Sequence, residues 1–248
     1  MSDGLGLGLS LASAQLRNGF TISSLFASGE QGAWYDPSDL TSLSQDSAGT
    51  VAAAVDSPVG RMMDKSGRGN HVTQATDGFR PILRQDAGLK YYLEFDGADD
   101  FLFRTGVTQT LPLDRISALH QISWTASDII FQGHSADYAV LFQSPTTPQI
   151  RQYSGASGAL ASPAIGANFV ATERFDGANS RLSINAGAAS TVALPANVPN
   201  QISIGARSSG AAASNIRYYG GIMICRALTD AEISATRNYL ATKSGVVL

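Results

Sequence analysis

Apolar and polar positions alternate along most of this chain, so its dominant period is two, the period of β-strands. The first eleven residues, "MSDGLGLGLSL", show it plainly: Leu5, Leu7, Leu9 and Leu11 share one face of an extended segment. Gly4, Gly6, Gly8 and Ser10 occupy the other. Four leucines on one face predict an assembly arm that adds a strand to a neighbouring subunit or mounting protein. A frayed, Gly-rich end is the alternative. Residues 20–29, "FTISSLFASG", predict a short helical turn begun by Thr21 or Ser23 and ended by Gly29.

Beyond that turn the signal is β, with strands predicted at 32–36, 71–75, 90–95, 100–104, 116–124, 128–132 and 137–143. Others follow at 148–153, 168–176, 181–186, 201–206 and 215–226. Turn-rich stretches such as "GHSAD" and "DGANS" separate them. Residues 37–70 form a long Asp- and Ser-rich excursion, of a length that is either functional or packed as a unit. Only the end of the chain switches to a helical period. In "LTDAEISATRNYLATKSG" Thr229 and Glu232 have capping-box spacing, and Lys243 and Gly245 mark the end of the helix. A dozen short strands and one closing helix predict an all-β sandwich of two antiparallel sheets.

Composition sharpens this picture. Four Glu stand against sixteen Asp and three Lys against fourteen Arg, a turn-forming rather than helix-forming balance. The formal charge of −3 and the scattered arginines argue against nucleic-acid binding. Cys225 is the single cysteine, so an intrachain disulfide is excluded and a small buried hydrophobe is expected. Asp3 stands where a signal peptide would carry positive charge, and no stretch reaches the roughly 18 apolar residues of a membrane span. The expectation is a protein made in the cytoplasm and not inserted in a membrane.

The order of "GEQGAWYDPSDL", "VGRMMDKSGRGNHVTQ", "YYLEFDGADDFL" and "GGIMICRALTDAEISATRNYLATKSGV" resembles the laminin-G-like, concanavalin-A-like jelly-roll proteins, in the branch found in tailed bacteriophages and prophages. The resemblance spans 29–248, so residues 1–28 would be the arm and helical turn and 29–248 the jelly-roll domain. It implies a non-enzymatic structural or adhesion protein of the virion, displayed on capsid, tail or fibre and made in the host cytoplasm. Its implied partners are other virion proteins, further copies of the chain and a host surface glycan.

Candidate chemistry is sparse. Glu94-x-Asp96-x-x-Asp99 has the look of a carboxylate pair for glycoside hydrolysis. Asp96-Gly97 is equally a tight turn between two strands, which is the preferred reading. A polysaccharide-depolymerising glycosidase using Glu94 and Asp99 is therefore the alternative function, with a free-standing lectin beside it. "DKSGRGN" predicts a turn capped by Asp64, because Arg68 stands where a calcium loop needs an oxygen ligand. Asp99 and Asp100 could offer carboxylates to calcium, but no metal and no cofactor is expected. Sugars stack on exposed rings, and His134, Tyr138 and Tyr153 are the candidates for that role. Trp34 and Trp124 are expected to be structural.

Overall fold

A computed structural model describes residues 20–248, so the arm leucines Leu5, Leu7, Leu9 and Leu11 lie outside the described residues. Within 20–248 the fold is the expected jelly-roll sandwich of two antiparallel sheets with one C-terminal helix. The first sheet runs in the order Ser190–Thr191, Arg181–Ile184, Asn168–Phe175, Leu113–Gln121, Asn215–Ile224, Tyr91–Asp96, Ile82–Gln85, and Gly32–Tyr35 also pairs with Asn215–Ile224. The second runs Ser157–Ala161, Ile150–Tyr153, Val140–Gln143, Ile129–Gln132, Gln201–Ile204, Leu102–Thr105, Val72–Thr73, Arg61–Met62, Leu43–Ser44. Strands adjacent in space are often remote in sequence, as in sandwiches of crossed-over topology.

Between the sheets lies the main core, which includes Leu83, Leu93, Phe95, Leu113, Leu119, Ile130, Leu141, Ile150 and Tyr218. A second core forms on the outside of the first sheet. There Ile116, Ala118, Val170, Tyr219, Ile222 and Ile224 meet Ile233 and Leu240 of the helix and Ile22, Leu25 and Phe26 of the N-terminal turn. The turn, a 3-10 helix over Ile22–Phe26, thus packs on the sandwich. Strand Leu113–Gln121 runs between the two cores and is buried on both faces. Each apolar side chain so placed contributes about 1.5–3 kcal/mol relative to exposure.

The helix Asp230–Ser244 is capped at both ends. Thr229 Oγ1 accepts the Glu232 N–H at 3.3 Å, Glu232 Oε2 accepts the Thr229 N–H at 2.8 Å, and Gly245 closes with φ 74°. Arg226 forks onto the Glu232 carboxylate at 2.6 and 3.0 Å and, with the Thr229 donors, holds its pKa at about 2. At the far end of the helix, Tyr239 Oη and Lys243 Nζ donate to the buried Asp36 at 2.7 and 3.0 Å. Those bonds tie the helix to the start of the 37–70 excursion, which packs as a unit through Leu43, Val59 and Met62. Asp64 organises its end: Oδ1 accepts the N–H groups of Trp34 and Ser66, and Oδ2 that of Asn70, at 2.8–3.0 Å. Trp34 is partly buried against the outer core and Trp124 against the main one. Cys225 is only partly buried, and burial still pushes its thiol pKa up.

An ion pair between adjacent strands of the first sheet lies inside the sandwich. Arg115 Nε and Nη2 donate to Glu173 Oε2 and Oε1 at 2.7 and 2.9 Å, and both residues are buried. The guanidinium lies 4.5 Å from the Phe131 ring centroid and 5.5 Å from that of Phe175. Its Nη1 donates to the Ala139 carbonyl at 3.1 Å, so the first sheet holds the hairpin segment of the second from within. Burial raises the Glu173 pKa, and the charge of Arg115 opposes it.

Candidate functional site

The helix and N-terminal turn cover the outer face of the first sheet. On the outer face of the second sheet a recess of about 170 Å³ opens, lined by Ser127, Ile129, Asp137, Val140, Phe142, Tyr153 and Arg207. Strand geometry builds its floor. Val140 and Phe142 are two apart on Val140–Gln143 and share a face. Val140 lies opposite Tyr153, and Phe142 opposite Ile129. The Phe142 and Tyr153 rings meet edge to face, with centroids 6.4 Å apart and planes at 82°. Ile129 and Val140 are buried, whereas Phe142 and Tyr153 are half-buried and offer apolar surface to the opening.

The polar wall is held in place by a chain of hydrogen bonds. Asp137 pairs with Arg207 and accepts from Gln132 Nε2 at 2.7 Å. Gln132 Oε1 accepts from Gln201 Nε2 at 3.1 Å and from the Ser208 N–H at 3.0 Å. The amides therefore fix the carboxylate's position while Arg207 faces the opening. Backbone strain concentrates around the same recess: Ser127, Asp137 and Ala139 have φ of 75°, 60° and 48°. Ala212, at φ 55°, accepts the Ile129 N–H at 2.7 Å. Non-glycine residues in this region cost of order 1–3 kcal/mol each and gather where structure serves a site. Asp128 stands beside both Ser127 and Ile129, and burial raises its carboxyl pKa.

Of the residues that the sequence singles out for sugar contact, Tyr153 lines this recess. His134 and Tyr138 do not; they stack on each other across the hairpin, 4.8 Å apart with planes at 29°. His134 Nδ1 accepts the Ala136 N–H at 2.9 Å, which leaves the proton of the neutral ring on Nε2. Asp137, Phe142 and Arg207 were missed. "GHSADY" reads as a turn, and Arg207 lies 70 residues from its partner Asp137.

The "EFDGADD" stretch is a corner. Strand Tyr91–Asp96 ends at Asp96, whose Oδ1 accepts the Ala98 N–H at 2.8 Å, and Gly97 turns the chain at φ 77°. A side chain at Gly97 would begin 2.7 Å from Asn215 Cβ. Phe95 enters the main core and Phe101 a small separate one with Ala206 and Ala213. Glu94 lies between Arg84, at 3.2 Å, and Arg217, at 3.6 Å. Asp99 belongs to a different group, in which Asp96, Asp99 and Asp100 have carboxylate oxygens within 4.8 Å of one another. Among the described residues, these three carboxylates could hold a hard cation. Asp100 is buried, and its pKa rises to about 7 through burial and then the charge of Asp96. Glu94 thus lies between two arginines on the sheet, outside the group of Asp96, Asp99 and Asp100.

No family model matches the chain, and no curated protein matches it by sequence. Solved structures do match by fold. A GH54 α-L-arabinofuranosidase aligns over 91% of this chain and 66% of its own length, with TM-score 0.64 and 13% identity. An arabinofuranosidase complexed with arabinofuranosyl-α-1,2-xylobiose aligns over 78% and 52%, with TM-score 0.56 and 15% identity. Trypanosoma rangeli sialidase aligns over 87% and 33%, with TM-score 0.54 and 14% identity. The chain thus spans about two thirds of the first and one third of the last, and identities this low establish shared fold.

The expectation of a non-enzymatic protein is contradicted by these neighbours, which are named as carbohydrate-active enzymes and share this sandwich over part of their length. The expectation rested on the resemblance to jelly-roll virion proteins and on the absence of a short catalytic motif. A glycosidase needs only two carboxyl groups about 5–10 Å apart in space, and a crossed-over sandwich can supply them from strands remote in sequence. None of these three neighbours is named as a phage virion protein.

Proposed function

We propose that this chain is a carbohydrate-active domain that seats a sugar ring in the Phe142–Tyr153 recess. The observation that carries the reading is the pairing there of exposed aromatic surface with a fixed carboxylate and guanidinium. A sugar's C–H face packs on an aromatic ring, while its hydroxyls donate to a carboxylate and accept from a guanidinium. The volume, about 170 Å³, is below the ~300–1,000 Å³ of drug-sized pockets and suits one ring rather than a long oligosaccharide. The fold neighbours are named for acting on arabinofuranosides and sialic acid, which supports a glycan as the ligand class.

Glycoside hydrolysis is the chemistry this reading carries. Asp137, held by Arg207 and Gln132, is the carboxylate in the wall that such chemistry would use. Two experiments test it together: a glycan array, and release of product from 4-nitrophenyl α-L-arabinofuranoside and from sialylated glycans. Asp137→Asn should abolish release and keep binding within a few fold, whereas Tyr153→Ala should lose both. A wild-type protein that neither binds a glycan nor releases a sugar refutes the proposal. Placement on a virion remains a proposal carried by the order of sequence motifs and by the 1–11 arm.

A further inference from the structure

A second recess, of about 230 Å³, lies on the outer face of the first sheet where the helix begins to cross it. Its walls include Thr172, Arg181, Ser183, Asp230, Ile233 and Arg237. Thr172 and Ser183 face each other on paired strands, and both are buried. Arg237 reaches down from the helix: its Nε donates to Thr172 Oγ1 at 2.8 Å and its Nη2 to Ser183 Oγ at 2.6 Å. Both hydroxyls are acceptors toward the guanidinium, so their own protons remain to be donated elsewhere.

The charges around this recess do not balance. Arg174, directly opposite Arg181 on the neighbouring strand, is neutralised by Asp114 through bonds of 2.7 and 2.6 Å. Arg181 and Arg237 form no such pair among the described residues; the ion-paired arginines are others. Asp230 is exposed at the rim as the one acidic side chain of the lining. Burial and then the charge of Arg181 push the Arg237 pKa down. Two like charges sharing a partly desolvated recess repel, and an anion between them converts the repulsion to attraction. Guanidinium forks are preorganised for oxyanions.

We propose that this recess binds an oxyanion, gripped by Arg181 and Arg237 and by the hydroxyl protons of Thr172 and Ser183. The group is a carboxylate, sulfate or phosphate, whether free or carried on a larger molecule. The site is separate from the Phe142–Tyr153 recess, which lies on the other sheet, and does not depend on it.

Arginine Nε–H resonances of the full chain, followed by NMR while sodium phosphate, sodium sulfate or sodium glucuronate replaces chloride at constant ionic strength, test the proposal. The Arg237 signal should shift saturably with at least one of the three. Saturation by phosphate and sulfate alone identifies a tetrahedral anion, and saturation by glucuronate a carboxylated sugar. Arg181→Gln removes one charge without touching the Thr172 and Ser183 bonds. It should weaken binding by about tenfold or more, ~1.4 kcal/mol, and leave the melting temperature in chloride unchanged or slightly raised, since it relieves the repulsion of Arg237. Arg237→Lys keeps the charge but loses the fork, and should weaken binding as well. Shifts that do not saturate, or an Arg181→Gln protein that binds like wild type, overturn the site.

Discussion

Asp100 makes the stability of this fold depend on pH in a direction opposite to most carboxylates. Its side chain is buried beside Asp96 and Asp99, and its pKa stands at about 7, against about 3.9 in an unfolded chain. Below the unfolded pKa both states are protonated and the group has no effect. As pH rises from about 4 to 7 the unfolded chain releases a proton that the folded one keeps, so stability falls across that window. Above pH 7 the penalty is complete. The full shift corresponds to about 4 kcal/mol at 1.36 kcal/mol per unit, and solvent screening at this surface corner reduces the expected cost to ~1–2 kcal/mol.

Asp100→Asn keeps an oxygen that can accept the Asp96 N–H, now bonded at 3.1 Å, and removes the charge. Melting followed by circular dichroism between pH 4 and 8, in EDTA so that no cation compensates the cluster, reads the effect. At about 2–4 °C per kcal/mol for a chain of this size, the variant should melt some 2–8 °C above wild type at pH 8 and match it near pH 4. A variant that melts lower than wild type at pH 8, or that keeps the wild-type fall between pH 4 and 7, refutes the reasoning.

Three further outcomes are expected. Gly97→Val should destabilise the domain by about 2 kcal/mol or more in urea unfolding, because a β-branched side chain is strained at φ 77° and would start 2.7 Å from Asn215 Cβ. Glu173→Gln should cost about 3–5 kcal/mol by the same measurement, since it leaves Arg115 charged and buried between Phe131 and Phe175. Deleting residues 1–12 should leave the domain folded, with its melting temperature moved by only a few degrees, yet prevent oligomerisation in analytical ultracentrifugation; normal assembly of the truncated chain would remove the arm from the account.

Period-two patterning carried the architecture. The strands predicted at 32–36, 90–95, 148–153 and 215–226 appear as Gly32–Tyr35, Tyr91–Asp96, Ile150–Tyr153 and Asn215–Ile224. The helix is equally legible, because its capping signals are local. The strand expected at 116–124 runs instead over Leu113–Gln121. Asp114 and Arg115 look like loop residues in the sequence, but Arg174 and Glu173 neutralise them across the sheet, which lets the strand start earlier. Strand Ser157–Ala161 is not among those predicted, because its Ser and Gly have low β propensity and its pairing with Ile150–Tyr153 is not visible in local pattern. The candidate site was legible only at Tyr153. Its other members join through strand pairing and a contact between Asp137 and Arg207, and a crossed-over topology leaves no trace of such contacts in local spacing.

The central claim is that a sugar ring occupies the recess between Phe142, Tyr153, Asp137 and Arg207. Calorimetric titration of an array-positive glycan into the wild type and into Tyr153→Ala tests it most directly. Loss of the ring should weaken binding about tenfold or more, ~1.4 kcal/mol, while the melting temperature stays within a few degrees of wild type. Equal affinity of the two proteins for the glycan would contradict the account and place the binding surface elsewhere on the sandwich.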